Sequence, residues 1–193
     1  MKQVELLSPA GTLRNMRYAF AFGADAVYAG QPRYSLRVRN NDFLADNLAK
    51  GINEAHEQGK KFFLATNVIP HNAKVKTFMA DIAPIIALQP DALIMADPGL
   101  IMMTREAWPD MPRQLSVQAN TVNYATVKFW QSMGVARVIL SRELSLDEIA
   151  EIRQRCPDME LEVFVHGALC IAYSGRCLLS GYFNHRDPNQ GTC

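Results

Sequence analysis

Three cysteines near the carboxyl end of the chain are its densest group of residues that could do chemistry. They are Cys170, Cys177 and Cys193, which follow the apolar run at 163–165 and lie among glycines and polar residues. Nothing in the sequence indicates secretion, and crowded cysteines in such a chain are more typical of a metal or cluster site than of disulfides. We therefore predict that these three thiolates are metal ligands.

The spacing of the three cysteines leaves the metal open. It matches neither the two-residue spacing of ferredoxin motifs nor a common zinc-finger spacing. An iron–sulfur cluster needs four thiolates, whereas a zinc site could add His185 or His166 to the cysteines. Three unpaired small apolar residues are the third interpretation, and the polar surroundings disfavour it.

Cys156, the fourth cysteine of the chain, precedes the last predicted strand and the other three follow it. A strand of six or seven residues rises about 20 Å. One cluster cannot bridge that distance, so we predict that Cys156 is a structural thiol at the opposite end of the fold.

A repeated strand-then-helix pattern must position these residues. The predicted strands are Val4–Leu7, Ala26–Ala29, Lys61–Ile69, Ala92–Ala96, Gln114–Ala119, Arg137–Leu140 and Glu160–His166. The predicted helices between them are Leu13–Phe22, Leu44–Gln58, Lys74–Leu88, Gly99–Ala107, Val122–Met133 and one that begins at the capping box Ser145–Glu148 and ends at Arg155.

This alternation predicts an α/β fold, a parallel TIM-like (β/α)8 barrel that is incomplete in this chain. An open doubly wound sheet is the rival, but no G-x-G-x-x-G follows the first strand. The pattern is one strand short of a barrel, and 193 residues is below the roughly 250 that are typical. We expect residues 1–193 to be the amino-terminal barrel domain of a longer protein.

Polar residues collect where the predicted strands end, which is the functional end of a parallel barrel. Ser8, Asp97 and Asn120 are equally well explained as helix caps or turn residues. The candidate catalytic residues are Glu5, Asn67, Gln118, Arg142, Glu143 and His166, which we predict to face one cavity at this rim. The candidate residues for binding a small ligand are Arg142, Tyr28 and Asn120. The planar guanidinium of Arg142 suits a carboxylate.

Composition limits the partners. The net charge is +1, so any contact with nucleic acid has to come from a local basic patch. The first residues do not form a signal peptide, and no stretch approaches the roughly 20 apolar residues of a membrane span. We expect a cytoplasmic protein without a membrane partner.

Several motifs together resemble the collagenase-like peptidase family. They are E-V-F-V-H-G-A-L-C at 162–170 with C-L-L-S-G at 177–181, E-L-L-S-P-A-G at 5–11, G-A-D-A-V-Y-A-G at 23–30, A-D-P-G at 96–99, S-V-Q-A-N at 116–120 and S-R-E-L-S at 141–145. Within that family, the chain is most similar to the bacterial tRNA hydroxylation branch.

The resemblance implies oxygen-independent conversion of the wobble uridine of tRNA to 5-hydroxyuridine. It also implies a 4Fe-4S cluster at the barrel mouth, held by Cys170, Cys177 and Cys193 with a fourth cysteine beyond residue 193. Prephenate, a small dicarboxylate, would be the co-substrate and tRNA the macromolecular partner. A partner protein is a further candidate that does not come from the resemblance.

Two alternatives stay open. The family label implies a peptidase, for which Cys170 would be the nucleophile and His166 the base. The sequence has no G-x-S-x-G and no H-E-x-x-H, and the turn at Gly167 gives these two residues no helical spacing. The other alternative is a barrel without catalytic activity that binds RNA or a partner protein and holds a structural metal.

Overall fold

The computed structural model describes residues 4–36, 41–167, 170 and 172–190. Within them the chain forms seven strands in one parallel sheet, ordered β1 to β7 as in the sequence. The strands are β1 (Leu7–Pro9), β2 (Ala26–Gly30), β3 (Lys61–Thr66), β4 (Ala92–Met95), β5 (Arg113–Leu115), β6 (Arg137–Ile139) and β7 (Glu160–Glu162). The sheet curls into an incomplete TIM-like barrel, which confirms the predicted fold class.

Helices connect the strands and cover the outside of the sheet. They are α1 (Leu13–Ala21), α2 (Ala45–Glu57), α3 (Asn72–Ile86), α4 (Pro98–Ala107), α5 (Tyr124–Ser132) and α6 (Leu146–Arg155). A short α7 (Leu179–Asn184) follows the last strand. Side chains fix several of their starts. Asp97 accepts a hydrogen bond from the Leu100 amide at the start of α4, and the predicted capping box of Ser145 and Glu148 begins α6.

Apolar side chains pack on both faces of the sheet, as a sheet buried on both sides requires. The larger cluster lies between strands and helices and includes Val27, Leu64 and Leu93. The smaller cluster lies on the opposite, inner face and consists of Ala26, Phe63, Ala65, Ala92, Ile94 and Ile139. The inner face is therefore filled with side chains, and the positions open to a ligand are at the ends of the strands.

Every strand differs from its predicted bounds by at least one residue, and the differences at β1, β3, β5 and β7 place a candidate site residue outside the strand. β1 begins at Leu7, so Glu5 precedes the strand. β3 ends at Thr66, so Asn67 follows it. β5 ends at Leu115, because the chain then forms a single 3-10 turn over Val117–Ala119, at whose start the Ser116 side chain accepts from the Gln118 amide. β7 ends at Glu162, and the apolar residues 163–165 after it are exposed.

The two outer strands of the sheet, β1 and β7, do not pair with each other in the part of the chain that the structure describes. None of the helices in that part combines the length and the apolar character that crossing a bilayer requires.

Candidate functional site

The carboxyl-terminal ends of the strands carry a connected set of polar contacts, which we call the rim. After β3, the Asn67 side chain accepts a hydrogen bond from the Leu36 amide (3.1 Å) and donates one to Ser116 Oγ (3.1 Å). Ser116 is buried and also accepts from the Gln118 amide at 3.4 Å. Asn67 therefore links the loops that follow β2, β3 and β5.

A second contact links the loops after β5 and β6. Asn120 has a left-handed backbone (φ 51°), and its side-chain nitrogen Nδ2 donates a hydrogen bond to Ser141 Oγ at 3.2 Å. Ser141 is buried and directly precedes Arg142. Tyr28 lies in β2, half-buried against the inner apolar cluster. Asn120 therefore shapes the loop that carries Gln118, through its left-handed backbone and its bond to Ser141.

Arg142 and Glu143 meet the cysteine-bearing segment at Ser174. The Glu143 carboxylate accepts a hydrogen bond from the Ser174 amide at 3.2 Å, and Arg142 Nη2 donates to Ser174 Oγ at 3.5 Å. Arg142 Nε is buried and has no hydrogen-bond partner among the described residues. A buried donor without a partner is uncommon in folded proteins, so this nitrogen is available to a ligand or water.

Gly175 brings the same segment against Gln118. Its φ is +70°, and a Cβ placed on it would lie 2.0 Å from the Gln118 carbonyl oxygen. The structure thus gathers Gln118, Arg142 and Glu143 around Ser174 and Gly175, and Asn67 and Asn120 join this group through serines of the rim.

The thiols of Cys170 and Cys177 belong to this segment. Both are free, Cys170 being exposed and Cys177 half-buried. Cys193 lies outside the described residues, so its predicted ligand role is not addressed by the structure. Among the residues that are described, no three His, Cys, Asp or Glu side chains come close enough together to hold a metal ion. The described residues therefore supply two candidate thiol ligands, one exposed and one half-buried. Two thiols suit metal ligation but do not complete a cluster.

His166 is exposed beyond the end of β7, and no hydrogen bond joins it to Cys170 in the described chain. It makes none of the rim contacts that connect the other candidates. Among the described residues, His166 therefore has no hydrogen bond to the other candidates, and its place in a shared cavity stays a prediction.

The expectation that Glu5 lies at the rim is wrong. Its carboxylate pairs with Lys61 Nζ (2.7 Å) and Arg137 Nη1 (2.7 Å), which belong to the first residues of β3 and β6. The physical reason is that β1 begins two residues after Glu5, so that Glu5 occupies the amino-terminal end of the sheet. In a parallel barrel this end serves stability rather than chemistry.

Arg137 is the centre of that opposite end, and sequence reasoning did not single it out. Its side chain is 10% exposed and donates to three carboxylates, that of Glu5 before β1 and those of Glu160 (2.9 Å) and Glu162 (3.4 Å) in β7. The guanidinium also lies 5.3 Å from the centre of the Phe63 ring. The signal that could have identified Arg137 is a charged residue at the start of an otherwise apolar strand.

The two inner carboxylates of this network titrate in opposite directions. Burial would raise the pKa of Glu5, but hydrogen bonds from Arg137 and Lys61 outweigh it and hold that pKa below its ordinary value. Burial raises the pKa of Glu162, and its weaker contact with Arg137 does not compensate. Of these two carboxylates, Glu5 is therefore the one whose charged form the network favours.

Cys156 ends α6 and is buried, with 2% of its surface exposed. Its thiol lies 3.6 Å from the Tyr124 carbonyl oxygen. This contact fits the predicted structural role.

Sequence reasoning missed the serines at positions 116, 141 and 174, through which the rim residues are connected. Ser141 directly follows the predicted strand Arg137–Leu140, Ser116 directly follows the observed β5 although it was predicted to lie within that strand, and Ser174 precedes a glycine. These positions were available as signals, because short hydroxyl side chains at strand ends bond to neighbouring loops.

Three comparisons relate the chain to known proteins. It is 73% identical over 193 residues to the tRNA hydroxylation protein P of Escherichia coli K12, covering 100% of this chain and 43% of that protein. It is 36% identical over 191 residues to the 23S rRNA 5-hydroxycytidine C2501 synthase of the same organism, covering 99% of this chain and 28% of the relative. The chain thus spans less than half the length of these curated relatives.

A solved structure of a U32 peptidase superposes with a TM-score of 0.71 at 12% identity, over 83% of this chain and 68% of that one, which supports the fold. The pattern of Peptidase family U32 matches residues 11–193. With nearly the whole length matched and the barrel shared, the chain belongs to peptidase family U32.

Proposed function

We propose that this chain belongs to a protein that hydroxylates RNA, with tRNA as the substrate and the wobble uridine as the target base. The observation that carries the proposal is the 73% identity, over all 193 residues, to a protein named for tRNA hydroxylation. A more distant relative is named for making 5-hydroxycytidine in rRNA, which is the same modification at a pyrimidine of another RNA.

The rim supplies features that suit this role. Arg142 has a buried Nε without a partner in the described part of the chain, and a carboxylate is the partner that best matches a guanidinium. We therefore propose that Arg142 binds a carboxylate of a small dicarboxylate co-substrate, for which prephenate is the candidate from the resemblance. Asn120 shapes the neighbouring loop, and Tyr28 packs against the apolar cluster on the inner face of the sheet.

The proposed cofactor is a 4Fe-4S cluster. Cys170 and Cys177 would hold it together with Cys193, and their free and accessible thiols support this assignment. When bound, such a cluster supplies electron transfer, which a hydroxylation without molecular oxygen requires. The chain's own part is to present the thiols beside Arg142, at the same edge of the sheet.

A peptidase is the alternative that the family description favours. It would need a nucleophile within reach of a base, and His166 makes no hydrogen bond to Cys170 in the described residues. Cys170 and Cys177 lying in one segment also suits ligation better than a single nucleophile. We therefore rank hydroxylation above peptide hydrolysis.

The proposal is tested by complementation. The full-length protein is expressed in an Escherichia coli K12 strain that lacks its tRNA hydroxylation protein P, and 5-hydroxyuridine is measured in digested tRNA by mass spectrometry. We expect the modified nucleoside to return. Its continued absence, with the protein present and folded, would contradict the proposal, and cleavage of gelatin by the same preparation would favour the peptidase.

A further inference from the structure

The described part of the segment that carries Cys170 and Cys177 has no regular structure to hold it. The described residues between Glu162 and Leu179 form neither helix nor strand. Most of them are exposed, yet Ser174 in their middle is only 3% exposed. A point of attachment therefore lies between the two cysteines.

Three contacts make this attachment, and one of them is the 3.5 Å hydrogen bond from Arg142 Nη2 to Ser174 Oγ described above. The Ser174 amide donates to the Glu143 carboxylate at 3.2 Å, which ties the segment to the loop after β6. Gly175 presses on the loop after β5, where the Gln118 carbonyl oxygen occupies the place that a Cβ would take. Because φ at Gly175 is +70° and the carbonyl is backbone, only glycine fits there without a shift.

From these contacts we infer that Glu143 and Gly175 are positioning residues, which hold the two cysteines over the rim. The inference rests on the proposed function for its purpose, since a ligating thiol has to be fixed in place by its surroundings. It changes the role predicted for Glu143. The carboxylate acts on the protein's own backbone, through an N–H that it accepts, and it is not a base that acts on substrate.

The first experiment compares two glycines with the same backbone strain. Gly175→Ala introduces the overlap with Gln118, whereas Gly59→Ala has a φ of +65° and no neighbouring atom within 4 Å. In the apoprotein, the rate of alkylation by iodoacetamide is measured separately at Cys170 and Cys177 by mass spectrometry. Buried Cys156 is the internal reference for global unfolding.

We expect the alkylation rate of Cys177, which is half-buried in the wild type, to rise by about tenfold in Gly175→Ala, because steric overlap releases the segment. Gly59→Ala and the Cys156 reference should stay at the wild-type rate. Equal Cys177 rates in wild type and Gly175→Ala would overturn the positioning role of Gly175.

The second experiment separates the shape of Glu143 from its charge. Glu143→Gln keeps an oxygen that can accept the Ser174 amide, and Glu143→Ala does not. We expect Glu143→Gln to restore most of the thiol protection that Glu143→Ala loses, and to keep the shape of the wild-type pH profile of tRNA hydroxylation. Loss of one limb of that profile in Glu143→Gln, with thiol protection intact in Glu143→Ala, would make Glu143 a base and overturn the inference.

The two proposals fail separately. Thiol alkylation involves neither RNA nor cofactor, so it decides the attachment even if the wild-type protein does not hydroxylate tRNA. A protein that hydroxylates tRNA while its thiols react alike in all variants would support the function and refute the attachment.

Discussion

The two ends of the sheet use polar residues in opposite ways. At the amino-terminal end, Arg137 is surrounded by three carboxylates and Glu5 is shared with Lys61, so that charges satisfy one another. At the carboxyl-terminal rim, Asn67, Asn120 and Glu143 bond mainly to backbone amides and serines, and the buried Arg142 Nε has no partner among the residues that the structure describes. Charged residues in a barrel therefore cannot be assigned to a site from their type alone.

The comparison explains what each end contributes. The network around Arg137 joins the segment before β1 to β6 and β7, across the side of the sheet where no strand pairs with β1 among the described residues. It ties the two edges of the curl together. The rim contacts join successive loops and leave the buried Arg142 Nε without a partner among the described residues. A ligand site needs such an arrangement of fixed loops and an available donor.

The largest expected effect is on stability at the Arg137 end. Arg137→Met keeps an apolar stem and removes the cation, leaving the partly buried Glu5 and Glu162 without their shared partner. We expect the free energy of unfolding to fall by about 3 kcal/mol, as for other broken buried pairs. Urea unfolding followed by circular dichroism measures it.

The matched control for that variant is Arg17→Met, which removes an ion pair with Glu54 on the helix surface. Exposed pairs contribute little, so this substitution should leave the urea midpoint nearly unchanged. Equal losses in the two variants would contradict the special role of the Arg137 network.

The next effect is a pH dependence of opposite sign at two carboxylates. The pKa of Glu5 is lowered in the folded protein, so its contribution is present above the ordinary glutamate pKa and is lost as pH falls through the folded pKa. We expect Glu5→Gln to cost about 1–2 kcal/mol at neutral pH, and the deficit relative to wild type to shrink in acid.

Glu162 should behave in the reverse manner, because its folded pKa is raised. Its favourable contribution is present below the ordinary glutamate pKa and is lost as pH rises through the folded pKa. Glu162→Gln should therefore gain stability relative to wild type as pH rises. Urea unfolding over a pH series tests both variants, and parallel curves for the two would refute the assigned directions.

A smaller effect on stability, with a selective effect on binding, is expected at the rim. Arg142→Lys keeps the charge and loses the planar fork, so we expect about tenfold weaker binding of prephenate. The free energy of unfolding should change by less than about 0.5 kcal/mol, as is usual away from packed contacts. Calorimetric titration and urea unfolding are the measurements, and unchanged affinity would remove Arg142 from the ligand site.

The order and type of β1–β7 and α1–α6 could be predicted from the sequence, because most strands lie in short apolar runs, and α1, α4, α5 and α6 begin at a side-chain cap. The short α7 was not predicted. Glu5 shows what could not be predicted. A shift in the start of β1 from Val4 to Leu7 moved it from strand to preceding loop, and the partner Arg137 lies 132 residues away. Local pattern holds no information on such a contact.

The candidate site shows the same division. Strand-end position correctly grouped Asn67, Gln118, Arg142 and Glu143 at one end, since parallel strands share direction. It could not show that Ser174 and Gly175 return to that end, because this depends on a close approach to the Gln118 carbonyl oxygen. His166 was grouped with them because β7 was predicted four residues too long, to His166 rather than Glu162.

The most direct measurement of the division between the two ends is the iron and sulfide content of the full-length protein, purified without oxygen, for three serine substitutions. Cys170→Ser and Cys177→Ser alter accessible thiols at the rim, whereas Cys156→Ser alters a buried thiol at the end of α6. We expect the first two to lose most of the iron and sulfide, and Cys156→Ser to retain the wild-type content. Equal loss in all three variants, or full retention in Cys170→Ser and Cys177→Ser, would contradict the assignment of the ligating thiols to the rim and of Cys156 to a structural role.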